Sequence, residues 1–376
     1  VTAVHNVLVV GGGIAGTAAA IALADGGIAV DLVEAKLDIS AIGSGITLQG
    51  NALRELRRLG VWEQVAAEGY SFDSLGLRAP DPAGTLLVEL PDLRTGGPEL
   101  PATVGMPRPA LAAILHERAA RAGVTVRFGT TTTALAQDGD GVDVTFDSGA
   151  TGRYELVIGA DGIRSATRRQ IGIDLETGET GMAIWRAFGP RPASVTRTDL
   201  FYGGPSYIAG YCPTGENSLY AYIVEPVRDR SGLTAAQRLD TMRELAAAYH
   251  GPWDDIRETL DDPDRVHYTR FETHVLAPPW HRGRVALVGD AAHSCPPTLA
   301  QGAAQALEDA AVLAELLLHA DVLDERLWSA YTARRYVRAK AVVDASNQLG
   351  RWLLDHEPGD VPGLMGGVAA LVAHPS

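Results

Sequence analysis

Asn6-Val7-Leu8-Val9-Val10-Gly11-Gly12-Gly13-Ile14-Ala15-Gly16 is the stretch from which the fold is read. Asn6 to Val10 form a short, largely β-branched run that predicts a buried strand, and the glycines behind it end it at once. Residues 15–24, rich in Ala, Leu and Ile at helical spacing, predict a helix, and 29–33 a second apolar strand beyond Gly26 and Gly27. Strand, helix and strand in this order form a crossover unit, which calls for neighbouring parallel strands in a covered sheet. The spacing gives each glycine a task. Gly11 permits the tight turn, Gly13 lets the backbone approach a pyrophosphate, and Gly16 lets helix and strand pack closely. Ala15 stands in the first helical turn, whose free N–H groups and positive dipole end suit phosphates. Glu34 closes the second strand eighteen positions after Gly16, where it can accept from a ribose hydroxyl. A dinucleotide site follows, and the motif by itself leaves open which dinucleotide.

Length allows one or two intimately joined domains with a large core, since the chain has 376 residues. A formal charge of −14 speaks against a nucleic-acid partner, which needs a basic footprint. No apolar run is long enough to span a bilayer and no targeting segment is visible, so a cytoplasmic location without a membrane partner is expected. Cys212 and Cys295 are far apart and outside any CxxC pattern, which predicts neither a disulfide framework nor a thiolate metal site. No HExxH or clustered His/Asp set supports metal chemistry.

Further along, helical periodicity appears at 52–59, 111–122, 302–319 and 327–347, and strand patterns at 124–128, 142–146, 154–158 and 285–289. Asp138-Gly139-Asp140-Gly141 is a hairpin signal. Residues 80–101 are Pro- and Gly-rich without clear period, and the tail after Pro358 is expected to pack loosely. Aromatic residues cluster in 171–275, several in alternating order, which predicts a mostly antiparallel sheet on the substrate side of a pocket.

Two further segments carry a family resemblance. Ile158-Gly159-Ala160-Asp161-Gly162-Ile163-Arg164-Ser165, with Arg168 behind it, resembles the "DG" fingerprint of the group A flavoprotein monooxygenases. Arg284-Val285-Ala286-Leu287-Val288-Gly289-Asp290-Ala291-Ala292-His293, then Pro296 and Gln301-Gly302, is similar to their "GD" fingerprint. This is the para-hydroxybenzoate hydroxylase-like family, which includes salicylate and hydroxynicotinate hydroxylases. The resemblance runs over about 6–347. It implies an α/β fold with a Rossmann-like FAD-binding domain built on a parallel sheet, a mostly antiparallel substrate sheet, and C-terminal helices. On this reading 1–75, 101–170 and 276–320 form a discontinuous FAD-binding domain, 76–100 and 171–275 the substrate domain, and 321–376 a helical C-terminal segment.

The same resemblance implies non-covalent FAD, NAD(P)H as a transient co-substrate, and O2 as the source of one oxygen atom inserted into a small phenolic or heteroaromatic ring. A monomer or homodimer is expected. Asp290 is implied to hold the ribityl hydroxyls, Gly302 and Ala303 to face the flavin N1/C2 edge, and Pro296 to lie beside the reacting ring. Arg108 matches an arginine that reaches the phosphate or ribityl region, and Asp161 one near the pyrophosphate. Gly43-Ser44-Gly45-Ile46 resembles the segment over the isoalloxazine, where small residues leave the flavin room to swing. His293 is a candidate base, with a loop-bonding histidine as its bland alternative. Tyr211 and Tyr222 are candidates to line the substrate pocket, and Arg186 is a candidate for a substrate carboxylate.

The chain departs from the pattern in three places. Ala300 replaces the usual glycine before Gln301, which predicts a stiffer loop. Thr47 stands where hydroxynicotinate-type relatives carry a histidine. There is no second GxGxxG, and the extra C-terminal domain of some phenol-type relatives is not expected. Two other readings stay open at this stage. One is a tailoring oxygenase, of epoxidase or Baeyer–Villiger type, on a larger natural-product substrate. The other is a flavin reductase-like protein without oxygenation.

Overall fold

Val7, Leu8, Val9 and Val10 are all buried, as a strand in the middle of a covered parallel sheet must be. In the computed structural model, which describes residues 2–39 and 45–376, that strand (Asn6–Val10) pairs in parallel with Ala29–Glu34 on one side and Leu156–Gly159 on the other. Thr125–Phe128 extends the sheet beyond the first neighbour, and Val285–Leu287 then His281–Arg282 beyond the second. Chain order therefore reverses at Asn6–Val10, which opens a crevice at the carboxyl ends of the central strands. Glu34 ends one of those strands, and Gly11, Ala160 and Asp290 follow the ends of the others in the chain.

The helix Ile14–Asp25 covers one face of this sheet and packs on Gly302–His319. Gly26 sets how close they come: a Cβ there would lie 2.2 Å from Leu318. Glu325–Leu354 packs on the same long helix from outside.

A second sheet has eight strands in the order 293–294, 266–275, 178–190, 218–226, 208–215, 198–202, 74–78 and 86–91. Every neighbouring pair is antiparallel except 74–78 with 198–202. Its two faces are divided by the period of two. Trp185, Phe201, Tyr211, Leu219 and Ile223 point to a core closed by the helices Ala235–Ala246 and Pro252–Glu258. Ile184, Arg186, Leu200, Ile208, Tyr220, Tyr222 and Val224 point the other way, into a cavity shared with the first sheet.

Two expectations need correction. Residues 86–91 form an edge strand with every position exposed, so neither face imposes an alternating pattern. The strand expected over 154–158 is two: Thr151–Tyr154 ends a hairpin, and Leu156–Gly159 begins the parallel sheet. The tail folds into a helix, Val361–Ala373, capped by Asp360. Three arginines take carbonyls at its end: Arg54 to Val372, Arg338 to His374 and Arg334 to Ser376. No helix among the described residues is long and apolar enough to cross a membrane, and no group of three potential metal ligands occurs among them.

Candidate active site

The glycine turn is built as its spacing demands. Gly11 has φ 110°, and a Cβ there would meet the Ala160 carbonyl oxygen at 2.4 Å. A Cβ on Gly16 would lie 2.0 Å from the Gly11 carbonyl oxygen. At Gly13 it would meet nothing within 4 Å, so that glycine faces open space. The helix beginning at Ile14 has no side-chain cap, and its first N–H groups are left for a ligand. Glu34 is fixed by two backbone donors, Gly12 N at 2.7 Å and Lys36 N at 2.9 Å.

Arg108 opens the helix Arg108–Arg121 and lines the cavity with no hydrogen-bond or ion-pair partner among the described residues. Ala112 and His116 follow at intervals of four on the same stripe and line it too. His116 bonds the Gly12 carbonyl through Nε2 at 2.8 Å, tying this helix to the glycine turn.

Asp290 follows the strand Val285–Leu287 and projects into the cavity. The protein packed around it pushes its carboxyl above the usual carboxylate range, with His293 and Arg108 pulling against the rise. Beyond it, Ala300 takes the left-handed conformation (φ 52°) and turns the chain into the helix Gly302–His319. Gly302 and Ala303 line the cavity, and a Cβ at Gly302 would meet nothing. Their N–H groups lie at the positive end of an 18-residue helix.

A buried polar network holds these pieces. Asp309 accepts from Gly289 N at 2.8 Å and Arg335 Nε at 2.7 Å, and contacts His293 Nε2 at 2.6 Å. Burial alone would raise Asp309, yet His293 and Arg335 beside it hold it down to about 2. Arg335 also donates to Glu308 at 2.7 Å, and Glu308 accepts from Asn51, which bonds Gln301. Gln301 in turn donates to Gln49 on the cavity wall.

The cavity is about 640 Å³, within the ordinary range of small-molecule sites. It runs from the glycine turn and Glu34, past Asp290 and Ala303, to the face of the second sheet. There Tyr202, Tyr220 and Tyr222 line the wall, the Tyr220 hydroxyl beside the Arg186 guanidinium that bonds it. Burial raises Tyr202, raises Tyr220 to about 12 despite Arg186 and Arg108, and raises Tyr222 well above the ordinary phenol range. These phenols stay protonated near neutral pH and act as hydrogen-bond donors.

The family described as FAD binding domain matches residues 5–346. The chain is 32% identical over 361 residues to 3-amino-4-hydroxybenzoate 2-monooxygenase PtnB3 of Streptomyces platensis, covering 92% of this chain and 87% of that protein. It is 28% identical over 364 residues to 6-hydroxynicotinate 3-monooxygenase of Bordetella bronchiseptica, with 94% of each covered. The solved structure of the tetrameric form of 2-methyl-3-hydroxypyridine-5-carboxylic acid oxygenase aligns with a TM-score of 0.81 at 27% identity, covering 97% of this chain and 96% of that one. The chain belongs to the FAD-binding family of flavin-dependent monooxygenases.

Non-covalent FAD fits the residues present. The open cradle at Gly13, the unpartnered Arg108 and the helix start at Gly302 are each complementary to a dinucleotide whose phosphates and flavin carry negative charge. Glu34 lines the cavity beside the glycine turn. Gly45 abuts the sheet face, where a Cβ would lie 2.5 Å from the Tyr220 ring. Gly43 and Ser44 lie outside the described residues.

Several candidates sit elsewhere than the sequence suggested. Tyr211 does not reach the cavity: it shares a strand face with Phe201 and Ala221, and its hydroxyl donates to Asp199 at 2.8 Å in the opposite core. Tyr222, of opposite parity, does line the cavity. His293 is buried on Asp309 and Trp280 and does not line the cavity, so its geometry is that of a positioning group. Pro296 is buried behind the wall and Pro297 lines it. The carboxylate of Asp161 accepts from Ser165 Oγ and Thr167 N, which makes it the anchor of the short helix Ala166–Gln170. Sequence reasoning passed over His116, Tyr202, Tyr220, Gln49 and Pro297 as site residues. The i, i+4, i+8 stripe from Arg108 was the signal for His116, and strand parity with Tyr222 the signal for Tyr220.

Proposed function

We propose that this monooxygenase hydroxylates a small aromatic or heteroaromatic substrate on the cavity face of the eight-stranded sheet, with NAD(P)H as transient reductant. One observation supports it above the others. The cavity continues from the FAD site into a wall of aliphatic and phenolic side chains. Bound FAD supplies the oxygen-activating chemistry, taking electrons from NAD(P)H and delivering one oxygen atom of O2. The protein supplies the surroundings. Ile184, Leu200, Ile208, Val224 and Phe271 exclude water and hold a flat ring by its faces. Tyr220 and Tyr222 donate to its polar substituents, and the N-terminus of Gly302–His319 favours negative charge on the cofactor edge above. The relatives named for aminohydroxybenzoate and hydroxynicotinate oxygenation agree with a substrate of this size.

On this reading the six-stranded sheet with its helices belongs to the FAD-binding domain, in segments 1–75, 101–170 and 276–320, and the eight-stranded sheet, built mainly from 76–100 and 171–275, to the substrate domain. The FAD-loaded enzyme is to be mixed with NADH or NADPH, oxygen and a panel of phenols, aminobenzoates and hydroxypyridines. At least one compound is expected to accelerate nucleotide oxidation and gain one oxygen with little peroxide released. Peroxide as the sole product with every compound would overturn the assignment.

A further inference from the structure

Large apolar side chains at the surface of this protein are concentrated in one stretch. Among the described residues nine are exposed, and five of them, Leu86, Leu87, Val88, Leu90 and Leu93, lie within eight positions of the chain. They belong to the edge strand Leu86–Pro91 of the eight-stranded sheet and the residues just behind it. Single exposed leucines are normal on a surface, whereas a contiguous group marks a contact.

The register of the sheet decides which of them continue the cavity. Thr198 and Leu75 line the cavity and pair with each other, and Leu90 pairs with Leu75 on its far side. In the next row Leu200, also on the cavity wall, pairs with Leu77, and Leu77 pairs with Val88. Residues paired across neighbouring strands share a face. Leu90 and Val88 therefore extend the cavity face to the edge of the sheet, where they are 42% and 40% exposed. The cavity itself reaches this edge, because Phe72 and Asp92 line it and Asp92 stands two positions after Leu90. Leu86 points the other way: it pairs with Arg78, and a Cβ on Gly76 would lie 3.1 Å from it and 2.0 Å from Asp199, on the opposite face.

The same residues oppose two other occupants. A second copy adding a strand here would meet Pro91 at the strand end, Glu89 in its middle and a bulge at Leu87, which the register skips. Each of these disfavours edge pairing. An anionic bilayer is repelled by a chain of net charge −14. We infer that Leu77, Val88 and Leu90 form an extension of the substrate site that takes an apolar chain attached to the aromatic ring. This rests on the aromatic-substrate reading above and narrows it to rings carrying an alkyl or comparable uncharged chain. The ring stays on the wall of Ile184, Tyr220 and Tyr222, and the chain leaves past Leu200 and Leu75 to the edge. Asp92 puts a carboxylate at that rim, which disfavours a chain ending in an anion.

The test is binding of para-alkylphenols, from methyl to heptyl, to FAD-loaded protein, read from the perturbation of the flavin spectrum without turnover. A methylene fully withdrawn from water is worth about fourfold in affinity, and one laid on an open strip about twofold. Wild type is expected to gain about twofold per carbon from butyl to heptyl, about eightfold in all. The double variant Val88→Ser/Leu90→Ser changes only exposed positions. It is expected to keep its FAD, to bind para-cresol within about twofold of wild type, and to lose the gain with chain length. Leu86→Ser, on the opposite face, is expected to keep that gain. A gain that survives in the double variant, or that Leu86→Ser removes equally, would overturn the inference. So would a wild type that sediments as a dimer and a double variant that sediments as a monomer, which would give the strip to a second copy. Wild type that binds para-cresol and heptylphenol equally overturns this inference alone. Wild type that binds no member of the series overturns the aromatic-substrate reading with it.

Discussion

Tyr211 and Tyr222 lie on adjacent strands of one sheet, and replacing each by phenylalanine separates stability from substrate handling. The Tyr211 hydroxyl donates to Asp199 Oδ2 at 2.8 Å inside the core, and burial together with the Asp199 charge holds it protonated. A hydrogen bond to a charged group is worth about 1.5–3 kcal/mol. Asp199 keeps Arg78 at 2.6 Å and Arg197 at 3.0 Å, so the lower part of that range, about 1.5–2 kcal/mol, applies to Tyr211→Phe. For a chain of 376 residues, with an unfolding entropy of about 2 cal/mol/K per residue, the midpoint then falls by roughly 2–3 °C. Substrate kcat/KM should stay within about twofold. Tyr222→Phe removes a hydroxyl with no protein partner, so stability should move by less than about 0.5 kcal/mol. Its kcat/KM should fall about tenfold if one hydrogen bond to the substrate is lost. Calorimetry and steady-state oxygen uptake on the two variants decide it. A Tyr211→Phe enzyme of normal stability and poor turnover would refute the assignment of the two sheet faces.

Gly13→Ala should fold with apo stability within about 0.5 kcal/mol of wild type, since its Cβ meets nothing, yet bind FAD at least tenfold more weakly by equilibrium titration. Gly16→Ala should instead unfold at markedly lower denaturant, because its Cβ would lie 2.0 Å from the Gly11 carbonyl. Arg335→Met strands Glu308 and Asp309 in the interior and should cost about 3–5 kcal/mol in chemical unfolding. His274 is held down to about 4 by burial, with Arg168 and His293 adding to it. The unfolded chain therefore takes up a proton near pH 6.5 that the folded chain refuses until about pH 4, and stability falls on acidification through that window. The loss should be about 2 kcal/mol after screening, and His274→Gln should remove that part of the slope.

The nucleotide end was legible because its demands are local. A strand, a glycine spacing and an acid at the end of the next strand are all read within 6–34, and the turn geometry at Gly11 and Gly16 follows from them. The long helix was legible at 302–319 because its Ala/Leu pattern carries no interruption. The substrate face was not, since a strand pattern fixes which residues share a face and leaves open which face meets the cofactor. That is how Tyr211 and Tyr222, of opposite parity, were grouped together. The one-position difference between Pro296 and Pro297 has a similar origin: the turn into Ala300 decides which proline faces inward. Asp309 and Arg335 sit in separate helices, and a buried network between them leaves no mark in either segment alone.

Turnover in isotopically heavy dioxygen tests the central claim most directly. FAD-loaded enzyme is given NADH or NADPH and whichever aromatic compound of the panel most accelerates nucleotide oxidation, and the product is weighed by mass spectrometry. A product ring carrying one heavy oxygen atom per nucleotide consumed, with the second heavy atom reduced to water, is the predicted result. Label appearing only in peroxide or water, with the ring unchanged across the panel, would contradict an aromatic monooxygenase.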